Sequence, residues 1–208
     1  GQPVNGILFP IGTALVAGAV MFGIGMQVAG GCGSGTLYTA GGGSTQMLLT
    51  LVFFVIGATV GAAHLPWWND LPRVASISLV RDWGWAALPW SEDILFWEYW
   101  ADADQAAALE GMLLADVVTV TNIGLMAGAM LAASLAGRFA PTLRIPPRLI
   151  LASVIGGLLL GYGARIGTGC NISAYFGAVA SGSLHGWVWL PAALVGNWIG
   201  LKLRPLFR

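Results

Sequence analysis

The sequence is poor in charged side chains: Asp, Glu, Lys and Arg together make up 9% of its 208 residues. Soluble domains carry about 25%, so this scarcity excludes an ordinary soluble globular protein. Hydrophobic residues make up 57%, and they lie in runs of roughly 20 residues, the length at which a helix crosses a bilayer. The 31 glycines suit helices that pack closely in lipid. We predict an all-α membrane protein.

Cysteine is equally scarce, since the chain contains only Cys32 and Cys170. Two cysteines cannot form a disulfide framework, which leaves one disulfide, two free thiols or two functional thiols. No Cys/His cluster has zinc spacing, and no phosphate- or dinucleotide-binding loop is present. No basic patch indicates a nucleic-acid partner. We therefore predict no metal and no cofactor.

Five apolar runs organise the chain, and we place them at 6–28, 46–63, 111–136, 149–166 and 187–201. The last is short for a span on its own. The segment 64–110 holds eight of the nine acidic residues and seven of the ten tryptophans, which is typical of helices lying at a membrane interface. We divide one membrane domain into a first repeat at 1–64, an interfacial connection at 65–110, and an extra span plus second repeat at 111–208.

Two glycine-rich breaks, "GGCGSGTLYTAGGG" and "GTGCNISAYFGAVASGS", interrupt this apolar pattern, and each contains one of the cysteines. An ungapped alignment of the two regions matches Gly23, Gly25, Gly31, Cys32 and Ala40 with Gly161, Gly163, Gly169, Cys170 and Ala178. Each copy reads as span, Gly-Cys break, short apolar stretch and span. We predict inverted structural repeats with re-entrant Gly-Cys loops and short half-helices, the arrangement that places ligands near the bilayer midplane.

The basic residues predict an orientation for this arrangement. With re-entrant breaks, one side of the membrane carries six cations and no acid: Arg138, Arg144, Arg148, Lys202, Arg204 and Arg208. The positive-inside rule makes that side cytoplasmic. We therefore predict a multi-pass protein of the inner membrane with a cytoplasmic C-terminus.

The two cysteines are the leading candidates for a substrate site, together with the glycines beside them, Gly31, Gly33 and Gly169. A small residue next to the thiol lets a ligand approach the backbone, and the helix that follows offers free amide donors to an anion. A helix N-terminus also favours the thiolate. The alternative is that each cysteine packs as a small buried hydrophobe.

Four polar residues near the breaks complete the candidate substrate-binding set. Arg165, at the end of the fourth run, is an intramembrane charge and so a functional candidate by default, although its head group could equally snorkel to the interface. Gln27 occupies the equivalent position in the first repeat. Asn171 and Ser34 follow the thiols and could bind substrate, cap the short helices, or do both.

The motifs "FGIGMQVAGGCGSGTLYTAGGG" and "GYGARIGTGCNISAYFGAVASGSLHGWVWLPAALVGNWIGLKLRPLF" resemble the YeeE/YedE-like sulphur-transport family, over 16–68 and from 115 to the end. The resemblance implies a bacterial or archaeal inner-membrane protein that moves thiosulfate or a similar sulfur anion. It also implies that Cys32 and Cys170 line the path, and that a small cytoplasmic sulfurtransferase-like protein is a possible partner.

The chain departs from that family in two ways. Family members that import thiosulfate have a further path cysteine nearer the N-terminus, which nothing before Cys32 supplies, and relatives often have a longer connection than 64–110. We interpret the chain as a fragment or a shorter variant.

Three functions stay open from the sequence. The first is transport of thiosulfate or a related anion by thiol hydrogen bonds and half-helix dipoles, without enzymatic activity. The second is a membrane thiol or persulfide carrier enzyme with covalent chemistry at Cys32 and Cys170. The third is a structural or channel subunit whose glycines only pack.

Overall fold

The computed structural model describes residues 8–74, 76, 117–139, 141 and 144–207. Most of the predicted interfacial connection lies outside these residues. The described helices are α1 (Thr13–Ala29), α2 (Gly33–Gly41), α3 (Thr45–Asn69), α4 (Val117–Leu135), α5 (Pro147–Ile166), a π-helix (Asn171–Gly177), α6 (Ala178–Ala180), α7 (Leu184–Leu203) and a 3₁₀ turn (Arg204–Leu206). Two short strands, β1 (Ile11–Gly12) and β2 (Arg73–Val74), pair antiparallel.

Among the described residues, three helical stretches are long and apolar enough to cross a membrane: Thr13–Gly41, Thr45–Asn69 and Pro147–Ala180. They contain the second and fourth predicted runs and the first run from Thr13 onward. The chain is therefore a mostly helical protein with several helices of membrane-spanning length, as the sequence predicts.

Some predicted boundaries differ from the helices. α1 begins at Thr13 rather than near residue 6, since Ile11 and Gly12 pair with Val74 and Arg73 as a strand. α3 continues past residue 63 to Asn69, because a polar or aromatic side chain at the end of an apolar run does not stop backbone hydrogen bonding. The last run, predicted to be short for a span, belongs to a 20-residue helix, α7, with Pro191 inside it.

α1 lies at the centre of the bundle, with α5 on one side and α7 on the other. It runs antiparallel to α5: Gly18 approaches Gly167 beyond the end of α5, whereas Ala29 approaches Gly156 nearer its start. It runs parallel to α7, because Val20 meets Gly196 and Gln27 meets Gly200.

α3 packs on the outer side of α5 and runs parallel to it. Ser153 donates a hydrogen bond to the backbone oxygen of Gln46 near the start of both helices, with an O···O distance of 3.3 Å. Gly61 contacts Arg165 near their ends. The order across the bundle is thus α3, α5, α1 and α7.

Glycine permits these close approaches, which larger residues would prevent. A Cβ atom added at Gly25 on α1 would lie 2.8 Å from the backbone nitrogen of Leu160 on α5, and one at Gly163 would lie 2.6 Å from that of Phe22. Backbone-to-backbone packing of this kind holds helices together in lipid, where the hydrophobic effect between helices is absent.

The glycine contacts recur in pairs. Gly23 on α1 meets Ala193 on α7, and Gly161 on α5 meets Phe54 on α3. In the same way Gly196 meets Val20 while Gly57 meets Leu158, and Gly200 meets Gln27 while Gly61 meets Arg165. The contacts between α1 and α7 therefore have counterparts between α5 and α3.

Large aromatic side chains fill the core where α1, α7 and the π-helix meet. Phe22 is fully buried and its ring centroid lies 5.7 Å from that of the buried Trp189. Tyr175 of the π-helix stacks on Trp189, with 6.5 Å between the two ring centroids. Met26 and Cys170, both partly buried, pack against the same cluster.

Candidate functional site

Cys32 stands at the N-cap of α2, two residues after the left-handed Gly30 (φ 85°) that ends α1. Its sulfur accepts a hydrogen bond from the amide of Gly35 at 3.4 Å and lies 3.7 Å from the hydroxyl of Ser34. Its backbone oxygen accepts hydrogen bonds from the amide and the hydroxyl of Thr36, at 2.8 and 2.7 Å. The thiol is thus held at the start of a helix, where backbone amides are free to bind an acceptor.

Cys170 stands at the equivalent place before the π-helix. Its backbone oxygen accepts from the amide of Ala174 at 2.8 Å, as that of Cys32 does from Thr36. Its amide donates to the hydroxyl of Ser173 at 3.0 Å, and that hydroxyl lies 3.8 Å from the Cys170 sulfur, to which it donates. Both thiols are free, so the two breaks place them in closely similar settings.

Backbone geometry explains the glycine before the second thiol. Gly169 has φ 137°, and a Cβ atom added there would collide with the Ser173 hydroxyl. Its neighbour Thr168 has φ 65°, a left-handed conformation that is costly for a β-branched residue. Such strain persists only where the surrounding structure imposes it, and it is commonest at functional sites.

Cys32 opens onto a cavity of about 270 Å³. Six further residues line this cavity, which we call the Cys32 cavity: Met26, Gln27, Gly30, Gly31, Asn197 and Arg204. The Gln27 side-chain amide donates to Asn197 Oδ1 at 2.9 Å, joining α1 to α7 across the cavity wall. The Arg204 guanidinium brings positive charge to this face.

A second cavity, of about 360 Å³, lies at the opposite end of α1, and we call it the Arg165 cavity. The ends of α3 and α5 and the start of α1 form its walls. Arg73, Arg165 and Thr168 are among its lining residues, as is Trp68. Of the residues that the structure describes, arginines line both cavities, and no aspartate or glutamate does.

The segment 168–171 and Met26 connect the two cavities. Thr168 lines the Arg165 cavity, and Cys170 and Asn171 follow it in the chain. The Asn171 side-chain amide donates to the Met26 sulfur at 3.5 Å, and Met26 lines the Cys32 cavity. The chain from Thr168 through Cys170 to Asn171, together with the Asn171–Met26 hydrogen bond, therefore links the lining of one cavity to that of the other.

The predicted residues occupy different parts of this connection. Gln27, Gly31 and Cys32 line the Cys32 cavity, and Arg165 lines the Arg165 cavity. Gly33 faces Phe54 instead, at 3.7 Å from an added Cβ atom. Cys170, Asn171, Gly169 and Ser34 line neither cavity: the first three lie along the connection, and Ser34 contacts the Cys32 sulfur.

Sequence reasoning missed four residues with a place in the site: Met26, Asn197, Arg73 and Arg204. Asn197 offered a signal, because it is an amide inside an apolar run. Arg204 was read only as an orientation signal. Met26 gave no signal, since methionine is ordinary in a transmembrane helix.

The two histidines take structural positions. His185 is fully buried, and its Nδ1 accepts from the amide of Phe9 at 3.3 Å and lies 2.6 Å from the Ser183 hydroxyl. His64 Nδ1 lies 3.2 Å from the hydroxyl of Tyr162, which also accepts from Trp68 at 2.8 Å. Asp116, an acidic residue within the third predicted apolar run, lies outside the described residues.

Comparison with known families gives a match over most of the chain. A family model described as sulphur transport matches residues 3–89 and 71–199. The chain belongs to the sulphur transport family. This membership confirms the resemblance that the Gly-Cys motifs indicate.

The chain also resembles individual members of that group. It is 36% identical over 104 residues to the probable transporter YedE of Escherichia coli K12, and equally so to that of Salmonella typhimurium. Each match covers 48% of this chain, which spans about a quarter of the length of the YedE proteins. The thiosulfate transporter TsuA of Spirochaeta thermophila is 25% identical over 250 residues, covering 88% of this chain and 75% of that protein.

Proposed function

We propose that this protein transports thiosulfate or a closely related sulfur anion across the membrane, along a path from the Arg165 cavity past Cys170 and Cys32. The observation that carries the proposal is the link between two arginine-lined cavities through the segment that bears Cys170 and the hydrogen bond from Asn171 to Met26. Family membership and the name of the TsuA relative support the substrate class.

The chemistry of the lining suits a sulfur anion. Arg165 and Arg204, one in each cavity, raise the local concentration of an anion at the two mouths of the path. Between them, thiol S–H groups donate weak hydrogen bonds, and the amides at the start of α2 and of the helix after Cys170 add partial positive charge. Weak, repeated contacts hold an anion without trapping it.

The fold we propose for this path is a pair of inverted repeats, α1–α2–α3 and α5 to α7, with re-entrant breaks. Three features support it: α1 and α5 run antiparallel, their glycine contacts recur in pairs, and the two cysteines cap their helices alike. Ala29, the last residue of α1, packs on Gly156, well inside α5, so the first break starts within the bundle rather than beyond its end.

In the orientation we propose, the chain lies in the inner membrane of a bacterial or archaeal cell and the Cys32 cavity opens toward the cytoplasm. α5 starts and α7 ends at the Cys32 side of the bundle, so Arg144, Arg148, Lys202 and Arg204 share that side. The positive-inside rule assigns it to the cytoplasm. A small sulfurtransferase-like protein would receive the anion there.

Uptake of radiolabelled thiosulfate tests the path, in cells that lack other thiosulfate importers. Serine is a good N-cap, so Cys32→Ser and Cys170→Ser keep the helix starts while removing the sulfur. We expect each variant to lose at least tenfold in uptake. Ser44→Ala is the matched control, because Ser44 caps α3 through the amide of Met47 at 3.4 Å and lines neither cavity. Undiminished uptake in both serine variants would falsify the thiol path.

Intact-mass measurement distinguishes transport by hydrogen bonding from covalent carriage of sulfur on a cysteine. A persulfide carrier enzyme gains the mass of one sulfur atom on Cys32 or Cys170 after exposure to substrate. Transport by hydrogen bonding leaves both thiols unmodified, which is the result we expect from intact-mass measurement of the purified protein.

A further inference from the structure

Met26 joins the two halves of the path, and its position suggests a role that neither the motif nor the family match assigns. It lies in the last turns of α1, lines the Cys32 cavity, and packs against the same core cluster as Cys170. Its sulfur accepts the hydrogen bond from Asn171, the residue directly after Cys170. The side chain thus stands between one thiol's cavity and the other thiol's loop.

We propose that the Met26 side chain is the barrier that separates the Cys32 cavity from Cys170, and that an anion moves between the thiols when this side chain turns aside. The inference rests on the proposed path. It assigns the barrier to one side chain and not to a moving helix.

Packing of α1 is the reason for choosing the side chain. Gly23 contacts the backbone of α7 at Ala193, and Gly25 contacts the backbone of α5 at Gly156 and Leu160. α1 is therefore wedged between two helices with backbones in contact, directly before Met26. A shift of the helix would break both packings, whereas methionine has three rotatable bonds and adapts readily.

The hydrogen bond that holds Met26 is a weak one. A thioether is a poor acceptor, so the Asn171 side-chain N–H that donates to the Met26 sulfur at 3.5 Å is only weakly held. An anion offers that amide a charged acceptor, and hydrogen bonds to charged acceptors are roughly twice as strong as neutral ones, so the arriving anion can displace the thioether.

Accessibility of Cys170 tests the barrier without requiring transport. In this 208-residue chain carrying Cys32→Ser, Cys170 is the only thiol, and a membrane-impermeant methanethiosulfonate reagent is applied from the Cys32 face of oriented membrane vesicles. We expect slow labelling with Met26 present and at least tenfold faster labelling in Met26→Ala. Labelling from the Arg165 face should not change.

Two variants act as controls. Met26→Leu keeps the volume without the sulfur and should stay as slow as the parent, and Met21→Ala truncates a methionine of the same helix that does not line the cavity. The barrier is refuted if the rate of Cys170 labelling is unchanged in Met26→Ala, or if labelling is fast in Met26→Leu or Met21→Ala. It is also refuted if labelling of Met26→Ala rises equally from both faces. Uptake that survives both cysteine substitutions would refute the path while leaving this measurement valid.

Discussion

At the scale of the residue, each cysteine has a structural role at the start of a helix and a sulfur atom beside a hydroxyl group. Its backbone carbonyl closes the first turn of the helix that follows, and its sulfur sits beside a serine hydroxyl, Ser34 for Cys32 and Ser173 for Cys170. From the sequence, only Ser34 and Asn171 are candidates for a capping role, whereas the structure gives both cysteines the N-cap position. That is why a serine substitution is more informative than an alanine at these positions.

Two basic residues near the C-terminus, Arg204 and Lys202, distinguish the effect of a charge inside the cavity from the effect of net charge at this face. Arg204 lines the Cys32 cavity, whereas the Lys202 ammonium lies over the Trp198 ring, 3.8 Å from its centroid. Removing a charge-assisted hydrogen bond costs about 1.5–3 kcal/mol, so Arg204→Ala should raise KM for thiosulfate roughly tenfold or more. The measurement is uptake into inside-out vesicles, where substrate meets the Cys32 face.

Lys202→Ala removes one positive charge from the same tail and serves as the control. We expect its KM to stay within about twofold of the parent, because a charge exposed to water is screened. An equal rise of KM in both variants would mean that net charge, and not contact in the cavity, sets affinity at this face.

At the scale of the element, the bundle depends on glycines that let backbones touch. Gly161 lies against Phe54 of α3, and Gly23 lies against Ala193 of α7, as counterparts in the two halves. Gly161→Val and Gly23→Val should each destabilise the protein by about 3 kcal/mol or more, since overpacking costs 1–3 kcal/mol even where side chains can adjust. At Gly161 and Gly23 the added side chain meets backbone atoms, which can shift less than a side chain can.

Gly128 on α4 is the matched control for these substitutions, because a Cβ atom added there meets no described residue within 4 Å. Gly128→Val should leave the melting temperature of the detergent-purified protein almost unchanged, while both other variants lower it or fail to accumulate. A large loss in only one of Gly161→Val and Gly23→Val would contradict the proposed equivalence of the two halves.

The orientation of the helix bundle in the membrane is a property of the whole molecule. The end of α7 and the end of α3 lie on opposite sides of the bundle, since α7 is parallel to α1 and α3 is parallel to α5. Green fluorescent protein fused to the C-terminus should fluoresce, whereas alkaline phosphatase fused there should be inactive. Alkaline phosphatase fused after Asn69 should be active, because the proposed orientation places that end in the periplasm.

Exchange of the two phosphatase results would reverse the orientation, and activity at both sites would refute the helix directions. Either result bears on the direction in which the anion passes the two cysteines. It would leave the site geometry itself unchanged.

The sequence determined those features that depend on neighbouring residues. Spans follow from apolar runs, the breaks at Cys32 and Cys170 follow from clustered glycines, and the likeness of the breaks follows from their matching Gly-Cys motifs. The family also follows from the motifs, and the family match confirms it. Helix ends were less predictable, because α3 and α7 continue through residues that interrupt the hydropathy signal.

Only the tertiary structure decided which side chains meet. Gln27 bonds Asn197, Met26 bonds Asn171, and Arg204 reaches the cavity of Cys32, each across a long stretch of chain. No local pattern specifies such contacts, since they depend on how closely α1 packs between α5 and α7. Glycine-to-backbone packing sets those distances, and with them the arrangement of sulfur, amide and guanidinium groups along the proposed path.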